Sequence, residues 1–466
     1  MISYIGRFTA LLAIGAGALG SAVTSSPAAA APAKPTVVLE HVRLTPGGVG
    51  QSPFVGLRRA GAAVTLHDVV VEVDGGDVSR FATVLPFPGD DGCTVTGARL
   101  TCRLGESRIS QGYAALVPLR VKGLDSAAVG DTGTLTTTVT SREFGAAVRR
   151  STVTVAESVA MEPGGFINRD VRPGQRVGLP LTLRNTGAQP ITSTVMWFYR
   201  EAMYQYPQSF KNCGYGTKRI VCRFDDDVPP GATYRLSESF AVTVRKQVPA
   251  PGTIGQSFSW GTPADAKNAL DDFGAEQPRN GTGSVLRLVP SQGEAPASTP
   301  GQGAPQTTGS IFDPAQSVFF KVIGRNVADL AAIGADARGK RGKTITVKVG
   351  AKNLGPAFVF GITKPAAVVI VSRPKGTKVV SVPAGCLPSS KGKVVPRKDP
   401  RGAAEYRCVT TVNPFEVGKR ITWAFKLRID KKGALTGRVR VVPSTVDGKR
   451  TNDTAKLRIN PPAKKK

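Results

Sequence analysis

Between residues 421 and 429 apolar and polar side chains alternate without a break. Ile421, Trp423, Phe425, Leu427 and Ile429 fall on one side, Thr422, Ala424, Lys426 and Arg428 on the other. Residues two apart share a face of a strand, so this segment reads as a strand that is apolar on one face and basic on the other. The same period runs through Val117, Leu119 and Val121, through Val177, Leu179, Leu181 and Leu183, through Phe240, Val242 and Val244, and through Ile345, Val347 and Val349. Turn residues interrupt these runs at short intervals, and a 3.6-residue period is almost absent. The pattern predicts an all-β chain of antiparallel β-sandwiches. The one helix-like stretch, Val327 to Ala337, is short and Gly-interrupted and reads as the lead-in to a sandwich.

A series of events recurs three times: alternating strand, Gly-containing turn, Cys, second Cys, Gly turn, alternating strand. The first turn is Asn185-Thr186-Gly187 in the second copy and Asn353-Leu354-Gly355-Pro356 in the third; the first copy has Arg59-Ala60-Gly61 instead. The later turn glycines are Gly112, Gly231 and Gly418. This places three tandem sandwiches at 35–157, 158–288 and 318–460. Residues 289–317, rich in Gly, Pro, Ser, Gln and Thr, read as a flexible linker, and 461–466 as a basic tail. Six cysteines allow 15 pairings. Their spacing makes neighbour pairing the simplest: Cys93–Cys102, Cys213–Cys222 and Cys386–Cys408. Each bond would close a short loop and contribute about 2–4 kcal/mol. Zinc would want closer Cys pairs or nearby His, so no metal site and no cofactor are expected.

Disulfides belong to an oxidising compartment, and the N-terminus agrees. Arg7, the apolar run Phe8 to Val23 and the small residues up to Ala31 have the order of a secretory signal over 1–31. No later apolar run is long enough to span a bilayer as a helix, so a secreted, cell-surface or wall-associated protein is expected.

The third copy resembles a bacterial surface repeat called domain of unknown function eleven, an immunoglobulin-like β-sandwich. The likeness rests on Val347 to Pro356, Cys386, Cys408, Val417-Gly418 and the closing Asn452 to Leu457. The second copy matches at Leu181 to Gly187, Cys213, Cys222 and Pro229-Pro230-Gly231; the first mainly at its cysteines and the strands after them. The resemblance implies immunoglobulin-like folds in an exported, adhesive or wall-associated array without catalytic residues. The Ala-, Gly- and Arg-rich composition suggests a high-GC bacterium such as an actinomycete.

Enzyme signatures are missing: no G-x-S-x-G elbow, H-E-x-x-H, Walker loop or Rossmann fingerprint occurs. His41 and His67 are the only histidines; His67 falls in an alternating run and reads as a surface strand residue. Asp225-Asp226-Asp227 and the pair Asp74 and Asp77 lack a calcium-loop spacing and read as solvated turns. Two features stand out. The first is an aromatic cluster holding Tyr199, Tyr204, Tyr206 and Tyr215, four of eight tyrosines in the chain. Rings with a polar tip suit sugars and partner proteins, so these four are candidate ligand-binding residues of a carbohydrate- or protein-binding adhesin.

The second is charge. The chain of 466 residues carries Lys+Arg 62 against Asp+Glu 33, a net +29. Almost all of it, +25, falls from residue 318 onward, whereas 32–157 carries +1 and 158–288 carries +4. Candidate polyanion-binding residues are Lys340, Arg341, Lys343, Arg397, Lys398, Lys419, Arg420, Lys426, Arg428, Lys431 and Lys432. A field of this kind attracts polyanions. Specific nucleic-acid readers interleave aromatics with their cations, and only Tyr406 and Trp423 could serve. The expected partner is therefore an anionic wall or surface polymer and not a specific nucleic acid.

Overall fold

The computed structural model describes residues 34–48, 50–59, 63–88, 92–109, 112–274, 278–292, 304–309, 314–361, 365–396, 398–410, 412–444 and 446–462. The signal segment 1–31, Ala60-Gly61, the middle of the expected linker, Arg397 and the last four residues of the basic tail lie outside them.

The chain is almost entirely strand, and its buried side chains gather in three large clusters. Each cluster fills the space between two layers of sheet, as in a β-sandwich; in the second, the smaller layer is divided into a four-stranded and a three-stranded sheet. The alternating runs supply it: Val117, Leu119 and Val121 in the first, Leu179, Leu183, Phe240 and Val242 in the second, Val347, Val349, Phe425, Leu427 and Ile429 in the third are all buried. The polar residues between them face water.

The three sandwiches share one strand order. In the first, the larger sheet runs Val42–Leu44, Gly145–Val155, Thr132–Ser141, Val64–Asp74, Arg99–Ile109, Cys93–Thr96. In the third it runs Ala335–Ala337, Thr454–Ile459, Leu435–Pro443, Ala367–Ser372, Glu405–Val409, Cys386–Ser390, Lys393–Val394. In each, the entering strand crosses from the smaller sheet to the larger, where it pairs parallel to the last strand. In the third sandwich this crossing is at Gly334, where any Cβ would collide with the Lys456 carbonyl. The sequence stretch Val327 to Ala337 is thus two short strands, Leu330–Ile333 and Ala335–Ala337, with a glycine between them.

All three neighbour-paired disulfides are present, and each joins directly opposed residues of two adjacent antiparallel strands toward one edge of a larger sheet. Gly112, Gly231 and Gly418 all have positive φ, at 86°, 73° and 79°, which is why the repeat puts glycine there.

The second sandwich corrects the expected boundaries. Its last strand is Ala315–Asn326, which pairs antiparallel with Ala250–Gly261 and parallel with Ile167–Val171. Residues 315–326 therefore close the second sandwich, and the third begins at about 327. Without Lys321, Arg325 and the three lysines of the tail, its net charge is +20. Residues 262–314, expected to hold a free linker, are an insertion between the last two strands of the second sandwich. They contain the helix Lys267–Gly274 and the short strand Gln306–Thr307. Composition suggested a flexible tether; the described part of it is anchored instead.

That insertion fastens the first sandwich to the second. Gln306–Thr307 pairs parallel with Glu157–Ser158. Gln306 Nε2 donates to Glu157 Oε2 (3.0 Å) and Pro190 O (2.8 Å). Asp265, buried, accepts from Thr262 N (3.1 Å), Thr308 N (3.0 Å) and Thr307 Oγ1 (2.6 Å), and pairs with Arg43 Nε at 3.3 Å. His41 Nδ1 accepts from Thr152 N (2.8 Å), so its proton is on Nε2 and is donated to Asp271 Oδ2 (2.7 Å). Burial, the largest influence, pushes the His41 pKa down and favours that neutral form. His41 is thus part of the joint between the sandwiches. His67 is a surface strand residue whose Nδ1 lies 2.7 Å from Glu143 Oε1.

The second and third sandwiches also meet. Phe358, which follows the Asn353 turn, is fully buried in the core cluster of the second sandwich, and its N–H donates to Gln247 O (2.9 Å). Arg245 grips Glu416 with two bonds of 2.9 Å, lies over the Phe358 ring and donates to Ala202 O (2.9 Å). Half-buried, bidentate pairs are stronger than exposed ones. Arg245→Gln should cost about 2 kcal/mol and quicken hydrogen exchange at the Phe358 amide. Exchange there at the native rate would mean the two sandwiches are held by other contacts.

Candidate polyanion-binding surface

The contacts of Phe358 and Glu416 define one end of the third sandwich. From that end the strands run away to a distal end, where three turns converge. Gly342 N donates to Ile429 O (2.7 Å) and Ile429 N to Lys343 O (3.0 Å), which holds the 338–343 turn against the end of strand Arg420–Ile429. Lys431 N donates to Gly376 O (3.1 Å), which brings the 430–434 turn beside the 373–376 turn. Lys340, Arg341, Lys343, Lys375, Lys431 and Lys432 therefore come to one end of the molecule. All six are exposed. Among the described residues none of the six has an ion pair. The two carboxylates nearby are engaged: Asp430 with Arg428 at 2.8 Å and Asp336 with Arg458 at 2.6 Å.

The remaining candidates spread wider. Lys426 and Arg428 stand on the outer face of the smaller sheet, as their alternation predicted. Arg420 shares that face, and Lys419 adjoins it at the end facing the second sandwich. Nine residues of strand put these two about 30 Å from the distal turns. Lys398 is exposed beside Asp399, whose carboxyl is held below its ordinary pKa first by the Arg401 side chain at 2.9 Å. The sequence reading missed Lys348, Lys352 and Lys378, which lie on the same outer face. Lys352 sits opposite Arg420, and Lys378 opposite Arg428. For Lys348 and Lys352 the signal was present in the alternation of Thr344 to Asn353, where Thr344 and Thr346 precede the lysines on that face and Gly350 stands between them; Lys378 lies on the separate strand Thr377–Ser381.

Tyr406 and Trp423 are both in the core. Tyr406 donates its hydroxyl proton toward Pro400 O (3.0 Å) and Arg401 O (3.1 Å). Neither ring is available to stack on a base.

The aromatic cluster is corrected by the fold. Tyr204 is 5% exposed and packs in the core with Phe320 and Tyr206. Tyr206 donates to Gln256 Oε1 (2.8 Å) and packs on Phe198, and Tyr215 accepts from Phe210 N (2.9 Å). Burial pushes all three phenols up in pKa. Only Tyr199 stands out, 55% exposed, with Arg219 over its ring and donating to its hydroxyl (2.7 Å). Strand Thr194–Tyr199 explains the split: Met196 and Phe198 point into the main core, while Val195 and Trp197 point outward and are covered by Ala266 and the helix beyond it. The cluster is rich in rings because both faces of its strand are covered, not because it meets a ligand.

The acidic candidates are likewise structural. Asp226 accepts from Leu288 N (2.9 Å) and Arg287 (3.3 Å), Asp74 from Gly76 N (2.9 Å), and Asp77 from Thr134 N (2.7 Å). Among the described residues no group of three or more His, Cys, Asp or Glu is placed to hold a metal ion, and no helix is long and apolar enough to cross a membrane.

No family model matches the chain, and no curated protein does. Solved structures do. A cohesin, CaCohA2 from Clostridium acetobutylicum, is 13% identical over 27% of this chain and 92% of its own, with a TM-score of 0.20. A putative membrane-anchored protein from Corynebacterium diphtheriae is 10% identical over 92% of this chain and 91% of its own, at 0.18. The human CDH23 EC21-23 fragment is 8% identical over 92% of this chain and all of its own, also at 0.18. Likeness of that degree assigns no role to this chain.

Proposed function

We propose that this is an exported, non-enzymatic structural or adhesive protein whose third sandwich holds it to an anionic cell-wall or surface polymer. The observation that carries the reading is the distal end, where three turns bring to one place six cations that have no ion pair among the described residues. Three disulfides fit an oxidising, extracellular location. Membership of the bacterial surface-repeat family belongs to the same proposal; its support is that Asn185 and Asn353 do the same work in two sandwiches, as described below. The first and second sandwiches, nearly neutral and fastened together, would stand away from the polymer-bearing end.

The reading is tested with polyphosphate as the probe and the full chain as the binder. With six phosphate contacts, log K should fall against log salt with a slope of about −4. Replacing Lys340, Arg341, Lys343, Lys431 and Lys432 by Gln should bring that slope to roughly −1. In producing cells, raised salt should release the protein. An unchanged slope in the variant would remove the distal end from the proposal.

A further inference from the structure

The larger sheet of the third sandwich turns a second charged face to solvent, apart from the distal turns. Read across the strands in register, one row is Leu387, Arg407, Ile370, Arg440 and Thr454. The next is Ser389, Glu405, Ser372, Arg438 and Lys456. On the other side stand Val409, Val368 and Val442. Among the described residues Arg407, Arg438, Arg440 and Lys456 have no ion pair. The carboxylate in these rows, Glu405, is occupied by Ser389 Oγ (2.9 Å) and Gly392 N (2.8 Å).

This face differs from the distal end in being amphiphilic. Leu387 is 55% exposed and Val442 37% exposed, each beside an arginine of the neighbouring strand or row. Ile370 lies between Arg407 and Arg440 in register and gives their methylene stems an apolar bed. A soluble phosphate or carboxylate polymer would meet the cations and gain nothing from Leu387 or Val442. A bilayer carrying anionic phospholipid offers both: phosphates at headgroup level for the guanidinium forks, and an acyl boundary for the apolar side chains. The charge of +20 on this sandwich supplies the complementarity that draws it to such a surface.

We propose that this face docks on the surface of an anionic phospholipid bilayer, with Arg407, Arg438, Arg440 and Lys456 on the phosphates and Leu387 and Val442 entering the headgroup region. The site goes beyond the polymer-binding reading and uses different residues.

The test is sedimentation of the full, disulfide-intact chain with vesicles of phosphatidylcholine alone or with about 30% phosphatidylglycerol, beside a polyphosphate-binding assay. The wild type should bind only the anionic vesicles. Replacing Arg407, Arg438 and Arg440 by Gln should weaken that binding on the order of 100-fold, because each such cation contributes about fivefold at an anionic surface. The pair Leu387→Ser and Val442→Ser should weaken it several-fold and leave polyphosphate binding unchanged. Near-native circular dichroism of both variants shows that they fold. Native vesicle binding by the arginine variant overturns the placement of the site, and native vesicle binding by the Leu387/Val442 variant overturns the bilayer as occupant. Loss of vesicle binding in the five-fold distal variant, with the arginine variant unaffected, also overturns it. Retained vesicle binding without any polyphosphate binding supports this face and overturns the distal-end reading instead.

Discussion

Asn353→Ala should destabilise the third sandwich by about 3–5 kcal/mol. Asn353 is fully buried. Its Nδ2 donates to Ala357 O (3.0 Å) and Phe415 O (2.9 Å), and its Oδ1 accepts from Gly355 N (2.9 Å). Its own backbone accepts from Gly418 N (2.7 Å). One amide thus pins the turn after its strand to the segment that leads into the neighbouring strand Arg420–Ile429 of the same sheet. Alanine would leave Ala357 O and Gly355 N buried without these partners, each costing about 1–3 kcal/mol, while Phe415 O would lose one of its two bonds and keep that from Val359 N (3.2 Å). Asn353→Asp keeps the size but removes both donors, so it should be at least as damaging at neutral pH. Chemical denaturation of the full chain, followed by hydrogen exchange within 327–460, measures both. A loss below about 1 kcal/mol for both variants would show that the clamp is replaceable. The second sandwich repeats the device: Asn185 Nδ2 donates to Gln189 O (2.7 Å) and Val228 O (2.8 Å), and Oδ1 accepts from Gly187 N (2.9 Å).

Asp265→Ala should cost a similar 3–5 kcal/mol, at the joint between the first two sandwiches. Removing the carboxylate leaves the buried Arg43 guanidinium without its counter-charge, and breaking a buried pair from one side costs this much. It also strips Thr307 Oγ1 and the N–H groups of Thr262 and Thr308 of their acceptor. Asp265→Asn keeps an acceptor oxygen and should lose less. Protection of the Thr307 and Thr308 amides against exchange is the direct reading. Full protection in the Ala variant would mean that the paired strands Gln306–Thr307 and Glu157–Ser158 hold the joint unaided.

Both residues show where the sequence was legible. Asn353 and Asn185 were visible because they recur at one place in a repeat, ahead of a glycine, and a local turn reports itself locally. Asp265 carried only a local signal: Thr262, three residues earlier, exchanges bonds with it in the spacing of a capping box. Its distant partners are Arg43, more than two hundred residues earlier, and Thr307, some forty later, and no spacing rule relates those. The same distinction covers the candidate site. Lys426 and Arg428 were read from alternation on one strand. Their joining with Lys352 and Lys378 depended on which strands pair.

The sequence by itself determined the all-β class, the three repeated sandwiches, the neighbour-paired disulfides and the concentration of charge toward the C-terminal third. These follow from period-two patterning, turn glycines and composition, which act over a few residues or over none in particular. Only the tertiary structure decided that residues 315–326 close the second sandwich, that the described part of 262–314 is anchored to the first, that Phe358 enters a neighbouring core, and that of the four tyrosines Tyr204 is buried and Tyr206 and Tyr215 are half-buried against the core. Each of those is a long-range pairing. It is chosen by which surfaces can be buried together without leaving polar groups unsatisfied, and local sequence does not encode that choice.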